Sequence, residues 1–432
     1  MGEDAGTPNW KTILSTLALS SEYVSAWEAI TERPLTFAEF STLPMPPGCD
    51  SLDMWRHFTT LRRRTGIVFS AEPWYAASEQ VSWAYVTRQT QHELEEISSL
   101  ADPSSTLNTS LRNGAVDLRL IRFVIDELHA ACVRDGLPLS KNDVFAIYLG
   151  QRTPSTPAER IVKNFCTLHQ QSASFASRDL SLSMLDRIYE GLLEGVEGPL
   201  DFKRVHVYPE DVVRTDLVES HAFAERTLIR CLESARRVRT VRDAVISFDE
   251  TSGALWDLDY FDQLDGLVEL LLRRIAFLRW RIPVMSYVPF THLAKKPSNH
   301  FDMSTSSSER VLASKYSSSE GLDITFFFSS TVHILLVGLR EVKEELERLA
   351  QEDEKAEQAL RSDESLNQRQ KDFLTIANRK LGYEATLKGY AEMFGVVRAT
   401  ARSDLFGLVN KGYLAQSYEN RTLIFTLVST AT

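Results

Sequence analysis

The feature that most constrains this fold is a run of apolar residues from Leu264 to Trp280. A surface helix has one apolar stripe, whereas the apolar residues here fall on nearly every face of a helix, which is typical of a buried one. The charged side chains within the run need partners or must reach its rim, because an unpaired buried charge is costly. These side chains are Glu269, Arg273, Arg274 and Arg279. Pro283 follows the last turn, where a proline commonly ends a helix. The sequence therefore predicts a central core helix.

The composition is that of a globular protein with an acidic balance. The 432 residues are 43% hydrophobic and 25% charged, with a formal net charge of -11. A chain of this length normally forms two or three domains. A negative total argues against a protein that coats nucleic acid over its whole surface, although it allows one basic module. The apolar stretch 324–339 is shorter than the ~20 residues of a membrane-spanning helix. We therefore expect a cytoplasmic protein without membrane association.

Proline, glycine and polar runs divide the chain into four expected regions. They are an α-rich N-terminal region at 1–110, a helical domain at 111–345, a charged helical linker at 346–365 and an α+β domain at 366–432. Four helical patterns follow one another in 112–195, and the first is expected to end at Gly136. The segment 202–208 alternates with a period of two, which predicts a strand or hairpin arm.

The C-terminal region has the most specific pattern. Two helical patterns, a short turn, a third helical pattern and two strands follow one another, which is the order of a winged helix-turn-helix. The region also resembles the winged-helix domains of bacterial regulators. Their pattern around the recognition helix matches this sequence at Thr400, Ala401, Asp404, Leu405, Leu408 and Gly412. The expected fold class is thus mainly α, a helical core with a short β-hairpin, plus a C-terminal α+β winged helix-turn-helix.

The charge of this region favours a nucleic-acid surface. Residues 366–432 contain nine Lys or Arg against five Asp or Glu, a net charge of +4. The start of a recognition helix meets base edges or phosphates, and a wing-tip arginine suits a phosphate contact. Candidate contacts with double-stranded DNA are therefore Arg398, Thr400, Arg402, Ser403, Lys411 and Arg421. Docking of a protein by the winged helix remains the alternative.

Residues 115–345 resemble the Fic (Fido-domain) family through an ordered series of short matches. Residues 126–136 resemble its regulatory helix, and 159–165 resemble the helix that carries its recurrent asparagine, here Asn164. Residues 198–207 place Arg204 in an arginine position of the family. The family transfers AMP from ATP to a protein hydroxyl. The resemblance therefore implies a helical core with a nucleotide site at the start of its central helix.

The family's catalytic motif, His-Pro-Phe-x-Asp/Glu-Gly-Asn-Gly-Arg/Lys, is degenerate in the best register, 261–269. Only Asp265 and Gly266 match it. Phe261 replaces the histidine and cannot accept the hydroxyl proton as a general base does. Val268 replaces the second glycine, and Glu269 replaces the basic residue that would neutralise phosphate charge.

These replacements imply a catalytically inactive Fic fold without a cofactor. The position of the regulatory glutamate also departs from the family, since it holds Asp135. The expected function is a DNA-binding regulator or scaffold, with a protein partner or a homodimer. Two alternatives stay open: a divergent protein adenylyltransferase that uses Asp265, and an interaction subunit whose winged helix docks protein.

Overall fold

The computed structural model describes residues 20–69, 81–111, 117–198, 200, 202, 221–257, 260–261, 263–294, 322–378, 383–419 and 422–428. The chain divides into two compact units, Met1–Val116 with Ile121–Val342, and Asp117–Leu120 with Lys343–Thr432. Both are mainly helical with small sheets, as the fold class predicted from the sequence requires.

The helices of the first unit lie close to the helical patterns of the sequence. In chain order they are α1 (Ser21–Glu32), α2 (Phe37–Phe40), α3 (Ser51–Arg63), α4 (Arg88–Leu100), α5 (Thr106–Ser110), α6 (Ile121–Arg134), α7 (Lys141–Tyr148), α8 (Pro157–Gln170), α9 (Ser172–Ala176), α10 (Leu182–Leu192), α11 (His221–Arg236), α12 (Val241–Asp257), α13 (Asp265–Arg279) and α14 (Phe290–Ala294). Reciprocal capping boxes begin α7 at Ser140 and α8 at Thr156, which satisfies amides that have no partner within the helix.

A three-stranded sheet joins the N-terminal segment to the helical core. Its strands are β1 (Ile67–Val68), β2 (Ser82–Ala84) and β3 (Leu322–Asp323). The β1–β2 pair is antiparallel and the β2–β3 pair is parallel. Beside the sheet, the Arg62 guanidinium donates to the Asp323 carboxylate at 2.7 Å. The described residues of the expected region 1–110 thus share one compact unit with the core helices.

The hairpin arm expected at 202–208 lies, apart from residue 202, outside the described residues.

α13 is the central helix predicted from the sequence. Every residue from Asp265 to Phe277 is buried, as expected for a helix that is apolar on nearly every face. At its C-terminal end, the Arg279 guanidinium reaches the rim and donates to the Asp179 carboxylate at 3.0 Å. Pro283 then begins a 3-10 turn, Pro283–Tyr287, which packs against α13.

Truncating the centre of α13 should destabilise the first unit. Leu271 is fully buried, so Leu271→Ala removes buried methyl groups and leaves a cavity that costs about 2–5 kcal/mol. A denaturant titration measures this loss. Ile229→Ala is the control, because Ile229 is 39% exposed on α11 and its truncation should cost less than about 1 kcal/mol. Equal losses in the two variants would contradict a central position for Leu271.

The second unit is a small α+β fold around its own apolar core. α15 (Thr325–Ser362) begins in the first unit and runs into the second. The remaining elements are α16 (Gln368–Asn378), β4 (Glu384–Thr386), α17 (Leu387–Phe394), α18 (Arg398–Asn410), β5 (Leu414–Glu419) and β6 (Thr422–Leu427). The sheet order is β4-β6-β5 with both pairs antiparallel. Phe373, Tyr390, Leu405 and Phe425 are among its core side chains.

α15 joins the apolar helix expected at 324–339 to the charged helix expected beyond it. Ion pairs within the helix support the charged half, such as Arg348 with Glu345 at 2.7 Å. Among the described residues, α15 is the one helix long and apolar enough to cross a membrane by length and composition. However, 78% of its most apolar window is buried inside the protein, which is typical of a core helix.

Candidate functional site

The C-terminal unit presents two helices joined by a tight turn. α17 begins at Thr386, whose hydroxyl accepts the Gly389 amide at 3.1 Å. It ends at Gly395, which adopts the left-handed conformation with φ 61° that glycine tolerates best. α18 begins three residues later. The unit therefore has the element order expected for a winged helix-turn-helix, with one addition. The short strand β4, which pairs with β6, was not expected from the sequence.

Asp404 holds α18 against its neighbours. Its buried carboxylate accepts hydrogen bonds from Arg369 Nε at 2.9 Å, Asn367 Nδ2 at 2.7 Å and the Tyr390 hydroxyl at 3.2 Å. Its backbone carbonyl accepts from Gln370 at 2.8 Å. The aspartate that matches the winged-helix pattern thus has a structural role. It fixes the angle at which the opposite face of α18 is exposed.

The Asp404 network should make the C-terminal unit sensitive to acid. Burial by itself raises the pKa of Asp404, but hydrogen bonds from Arg369, Asn367 and Tyr390 and the Arg369 charge bring it below its ordinary value. A lowered folded-state pKa contributes stability above the unfolded-state value of about 3.9, and this stability is lost as the pH falls through the folded-state pKa.

We therefore expect Asp404→Asn to destabilise the unit at neutral pH by about 1.5–3 kcal/mol, the usual worth of a hydrogen bond to a charged group. The difference from the unchanged protein should shrink below a pH of about 4. Hydrogen exchange of α18 peptides, with both proteins compared at each pH, measures it. A difference that persists undiminished at low pH would contradict the role of the carboxylate charge.

Four of the sequence-predicted contact residues lie together on the first turns of α18. Arg398, Arg402 and Ser403 are exposed, and Thr400 is half-buried beside them. The Arg402 guanidinium lies 5.3 Å from the ring centroid of Phe406, so the ring supports its position. Arg398 and Arg402 are one helical turn apart, about 6 Å along the axis.

These two arginines are uncompensated cations within the described residues. The described ion pairs nearby use other cations: Arg369 pairs with Asp404, and Lys388 lies 3.8 Å from Glu392. Neither Arg398 nor Arg402 takes part in an ion pair with the part of the chain that the structure describes. A ligand phosphate could therefore approach them without displacing a carboxylate.

Lys411 does not join this group. Its ammonium donates to the backbone carbonyl of Ser365, in the turn before α16. Its position also lies about 20 Å along the helix axis from Arg398, given a rise of 1.5 Å per residue. This contact lies within the C-terminal unit and helps to hold the end of α18, and the expected DNA contact of Lys411 stays a prediction. Arg421 lies outside the described residues.

Sequence reasoning missed a set of exposed apolar side chains in the C-terminal unit. Val397, immediately before α18, is 70% exposed, and Met393 in the last turn of α17 is 42% exposed. Tyr418 on β5 is 77% exposed. In the sequence, Val397 and Met393 lie on either side of the turn between α17 and α18. Residues near such turns are usually polar, so these apolar residues could have indicated an exposed apolar site.

The N-terminus of α13, where the Fic resemblance implies a phosphate site, is already occupied by a carboxylate. The Asp135 carboxylate accepts the Gly266 and Leu267 amides, each at 2.9 Å. The residue at the N-cap is Leu264, whose side chain cannot cap, so an aspartate from another element supplies the acceptor. A Cβ on Gly266 would lie 2.7 Å from the Asp135 carboxylate, so a larger residue there would displace this carboxylate.

The path of the chain after α6 explains why Asp135 reaches this place. Gly136 follows it with φ 75°, in the left-handed region, and ends the helix as expected from the sequence. The Leu137 amide then donates back to the Cys132 carbonyl at 2.9 Å, which completes the cap. Asp135 therefore stands at the end of α6 and turns its carboxylate onto the start of α13.

The other residues of the degenerate motif are packed into the core. Phe261 is buried and stacks on Tyr189, with ring centroids 4.5 Å apart. Val268 is fully buried, and the buried Glu269 accepts a hydrogen bond from Ser252 at 2.8 Å. Asp265 is also fully buried, and its carboxylate accepts the Phe261 amide at 3.3 Å.

The remaining Fic-like positions have structural contacts or lie outside the structure. The Asn164 amide donates to the carbonyls of Leu192 and Glu194, at 3.0 and 2.7 Å, and so caps the C-terminal end of α10. Arg204 lies outside the described residues.

Comparisons with known proteins give a partial likeness to solved structures. No protein-family model matches the chain, and no curated protein matches it. The chain is similar to the crystal structure of a Fic family protein from Desulfovibrio desulfuricans G20, with a TM-score of 0.45 and 14% sequence identity. The match covers 80% of this chain and 98% of that chain. A likeness at this level leaves family membership a prediction.

Proposed function

We propose that this protein binds double-stranded DNA through the first turns of α18. The observation that carries the proposal is the exposed pair Arg398 and Arg402 at the start of the second helix of a helix-turn-helix order. A recognition helix places its N-terminal residues in the major groove, where arginine can contact base edges or phosphates. Thr400 and Ser403 add hydroxyl groups that suit phosphate oxygens.

The first unit acts in this proposal as a non-catalytic platform. Asp135 already fills the amide pair at the start of α13, and Phe261 stands where the family has its general base. Both features support a protein that does not transfer AMP. They do not favour the alternative of a divergent adenylyltransferase, since Asp265 is fully buried and the motif contains no histidine.

The negative charge of the rest of the chain should lower its affinity for DNA. A formal charge of -11 disfavours non-specific contact with DNA. Two linked copies of the C-terminal unit would offset this, because the second copy binds at high effective concentration. The proposal therefore includes a homodimer or a protein partner on DNA.

Fluorescence anisotropy with mixed-sequence duplexes at several salt concentrations tests DNA binding. We expect Arg398→Glu/Arg402→Glu to abolish binding at low salt, because two attractive charges become repulsive. Single Arg→Gln variants should separate the contacts. Loss of a phosphate contact lowers the slope of log affinity against log salt by about one unit, whereas loss of a base contact costs about 1–3 kcal/mol at one base position.

Arg160→Glu/Arg187→Glu is the matched control. Both arginines are exposed on helices of the first unit, so the pair changes the total charge equally without touching α18. It should retain most of the binding. If both double variants lose binding equally, or if the unchanged protein binds no duplex, the proposal is wrong.

A protein-docking role for the same surface is the second candidate. The exposed Val397, Met393 and Tyr418 favour it, because large apolar side chains are enriched at protein interfaces. Val397→Ser/Met393→Ser separates the two functions: it should leave the salt-dependent DNA affinity nearly unchanged, whereas a protein-docking surface would lose its partner.

A further inference from the structure

A second basic feature lies in the first unit, on residues that the proposed DNA-binding surface does not use. A surface pocket of about 330 Å³ lies between three segments. These are the end of α4 with the following turn, the link between α11 and α12, and the residues after α13. Its size is within the usual range of small-molecule sites, about 300–1,000 Å³.

Two arginines line this pocket, Arg239 from the α11–α12 link and Arg242 from the first turn of α12. Arg242 is half-buried, and its guanidinium lies 3.5 Å from the Gln91 side-chain oxygen. Arg239 is exposed, and its guanidinium lies 3.3 Å from the Val238 carbonyl. Neither forms an ion pair with a carboxylate of the described residues. Both are thus cations with weak neutral contacts at the wall of a cavity.

The nearby carboxylates are engaged by other groups. Asp243 accepts the backbone amides of Arg239 and Thr240, at 3.1 and 2.9 Å. Asp102, which also lines the pocket, accepts the amide of Ser104 at 2.7 Å. The two pocket arginines against the one pocket carboxylate leave a local excess of one positive charge on a protein of net charge -11.

The start of α12 adds to this positive potential. Thr240 caps the helix by accepting the Asp243 amide at 3.1 Å. The preceding amides in the first turn, those of Val241 and Arg242, have no acceptor within the helix. They carry the positive end of the helix dipole toward the pocket that these residues line.

The pocket lining also includes aromatic and aliphatic side chains. The Trp280 ring is fixed because its Nε1 donates to the Ala235 carbonyl at 3.0 Å and its edge contacts Phe277. Val241 and Ile282 lie beside it in the pocket lining. An aromatic ring and two guanidinium groups in the lining of one pocket match a ligand with an anionic end and a planar end.

We infer that this pocket binds a small organic phosphate, with its phosphate between Arg239 and Arg242 and its ring against Trp280. Guanidinium groups match phosphate geometry through paired hydrogen bonds, which a point charge does not reproduce. The inference is independent of DNA binding, since it uses none of the residues of α18.

Isothermal titration calorimetry of the full chain with phenyl phosphate, inorganic phosphate and phenol tests the inference. We expect phenyl phosphate to bind more tightly than inorganic phosphate, and phenol not to bind at millimolar concentration. Arg239→Gln/Arg242→Gln should weaken phenyl phosphate binding at least about tenfold, because it removes two charge-assisted contacts. Arg160→Gln/Arg187→Gln, with the same charge change elsewhere on the first unit, should leave the affinity unchanged.

Thermal melting of each variant separates loss of the site from loss of the fold. If the glutamine pair melts early, Arg239→Lys/Arg242→Lys keeps both charges and should still weaken binding, since lysine lacks the planar fork. Absence of phenyl phosphate binding at millimolar concentration, or equal weakening by both glutamine pairs, overturns the inference. Equal affinity for inorganic and phenyl phosphate overturns the assignment of the ring to Trp280.

Discussion

Arg273→Met is expected to destabilise the first unit by about 3–5 kcal/mol, because it removes the only cation that a buried pair of carboxylates shares within the described structure. The Arg273 guanidinium donates to Glu127 and lies 3.8 Å from a Glu269 oxygen. All three side chains are at most 5% exposed. Burial alone would lower the pKa of Arg273, but the two carboxylates raise it above its ordinary value, so it is charged at any working pH.

Glu127 also accepts hydrogen bonds from backbone amides, and Arg273→Met would not remove these bonds. Its carboxylate accepts the backbone amides of Thr291 and His292, at 2.8 and 3.1 Å, and so fixes the start of α14 against α6. Without Arg273, this carboxylate and that of Glu269 remain buried near each other as like charges. One of them must take up a proton or reach water, and either change costs free energy.

A denaturant titration followed by tryptophan fluorescence measures the loss, since Trp280 lies at the end of the same helix. Arg160→Met is the control, because Arg160 is exposed and its loss should change stability by less than about 0.5 kcal/mol. Adding Glu127→Gln and Glu269→Gln to Arg273→Met removes the unpaired charges and should recover part of the stability. A loss below about 1 kcal/mol for Arg273→Met alone would show that the carboxylates find other partners.

The sequence was sufficient to locate α13 but not its charge partners. An apolar surface on all faces identifies a buried helix from local residues alone, and the predicted and observed bounds differ by one residue at each end. Arg273 could be predicted to need a partner. The partner, Glu127, lies 146 residues away along the chain and is brought near only by the packing of α6 on α13.

In the candidate site, too, local features could be predicted from the sequence, whereas contacts between distant segments could not. The exposed positions of Arg398 and Arg402 follow from helical periodicity around the buried Ala401 and Leu405, so sequence reasoning could place them. The contact of the Lys411 ammonium with the Ser365 carbonyl could not be predicted, because helical periodicity does not show which separate segments pack together. The strand β4 was missed because three residues carry too little periodicity for a strand pattern, and its pairing with β6 supplies the missing stability.

Asp135→Ala is expected to cost about 3–5 kcal/mol, because it leaves two buried amides of α13 without an acceptor. Each hydrogen bond to a charged group is worth about 1.5–3 kcal/mol, and Asp135 is only 2% exposed, so water cannot readily replace it. Asp50→Ala is the matched control. Asp50 caps α3 in the same way, by accepting the Asp53 amide at 2.8 Å, but it is exposed, and its loss should cost about 0.5–2 kcal/mol.

Asp135→Ala also tests whether Asp135 blocks a nucleotide site at the start of α13 or only caps this helix. Freed amides at a helix N-terminus form an anion site, so Asp135→Ala uncovers the position where the Fic resemblance implies phosphate. Because Phe261 stands where the Fic resemblance implies a general base, we expect no AMP transfer when the variant is incubated with labelled ATP and lysate. Label transferred by Asp135→Ala, and lost again in Asp135→Ala/Asp265→Ala, would show that Asp135 restrains a working nucleotide site. Absence of such label would mean that the Asp135 carboxylate acts only as a structural cap of α13.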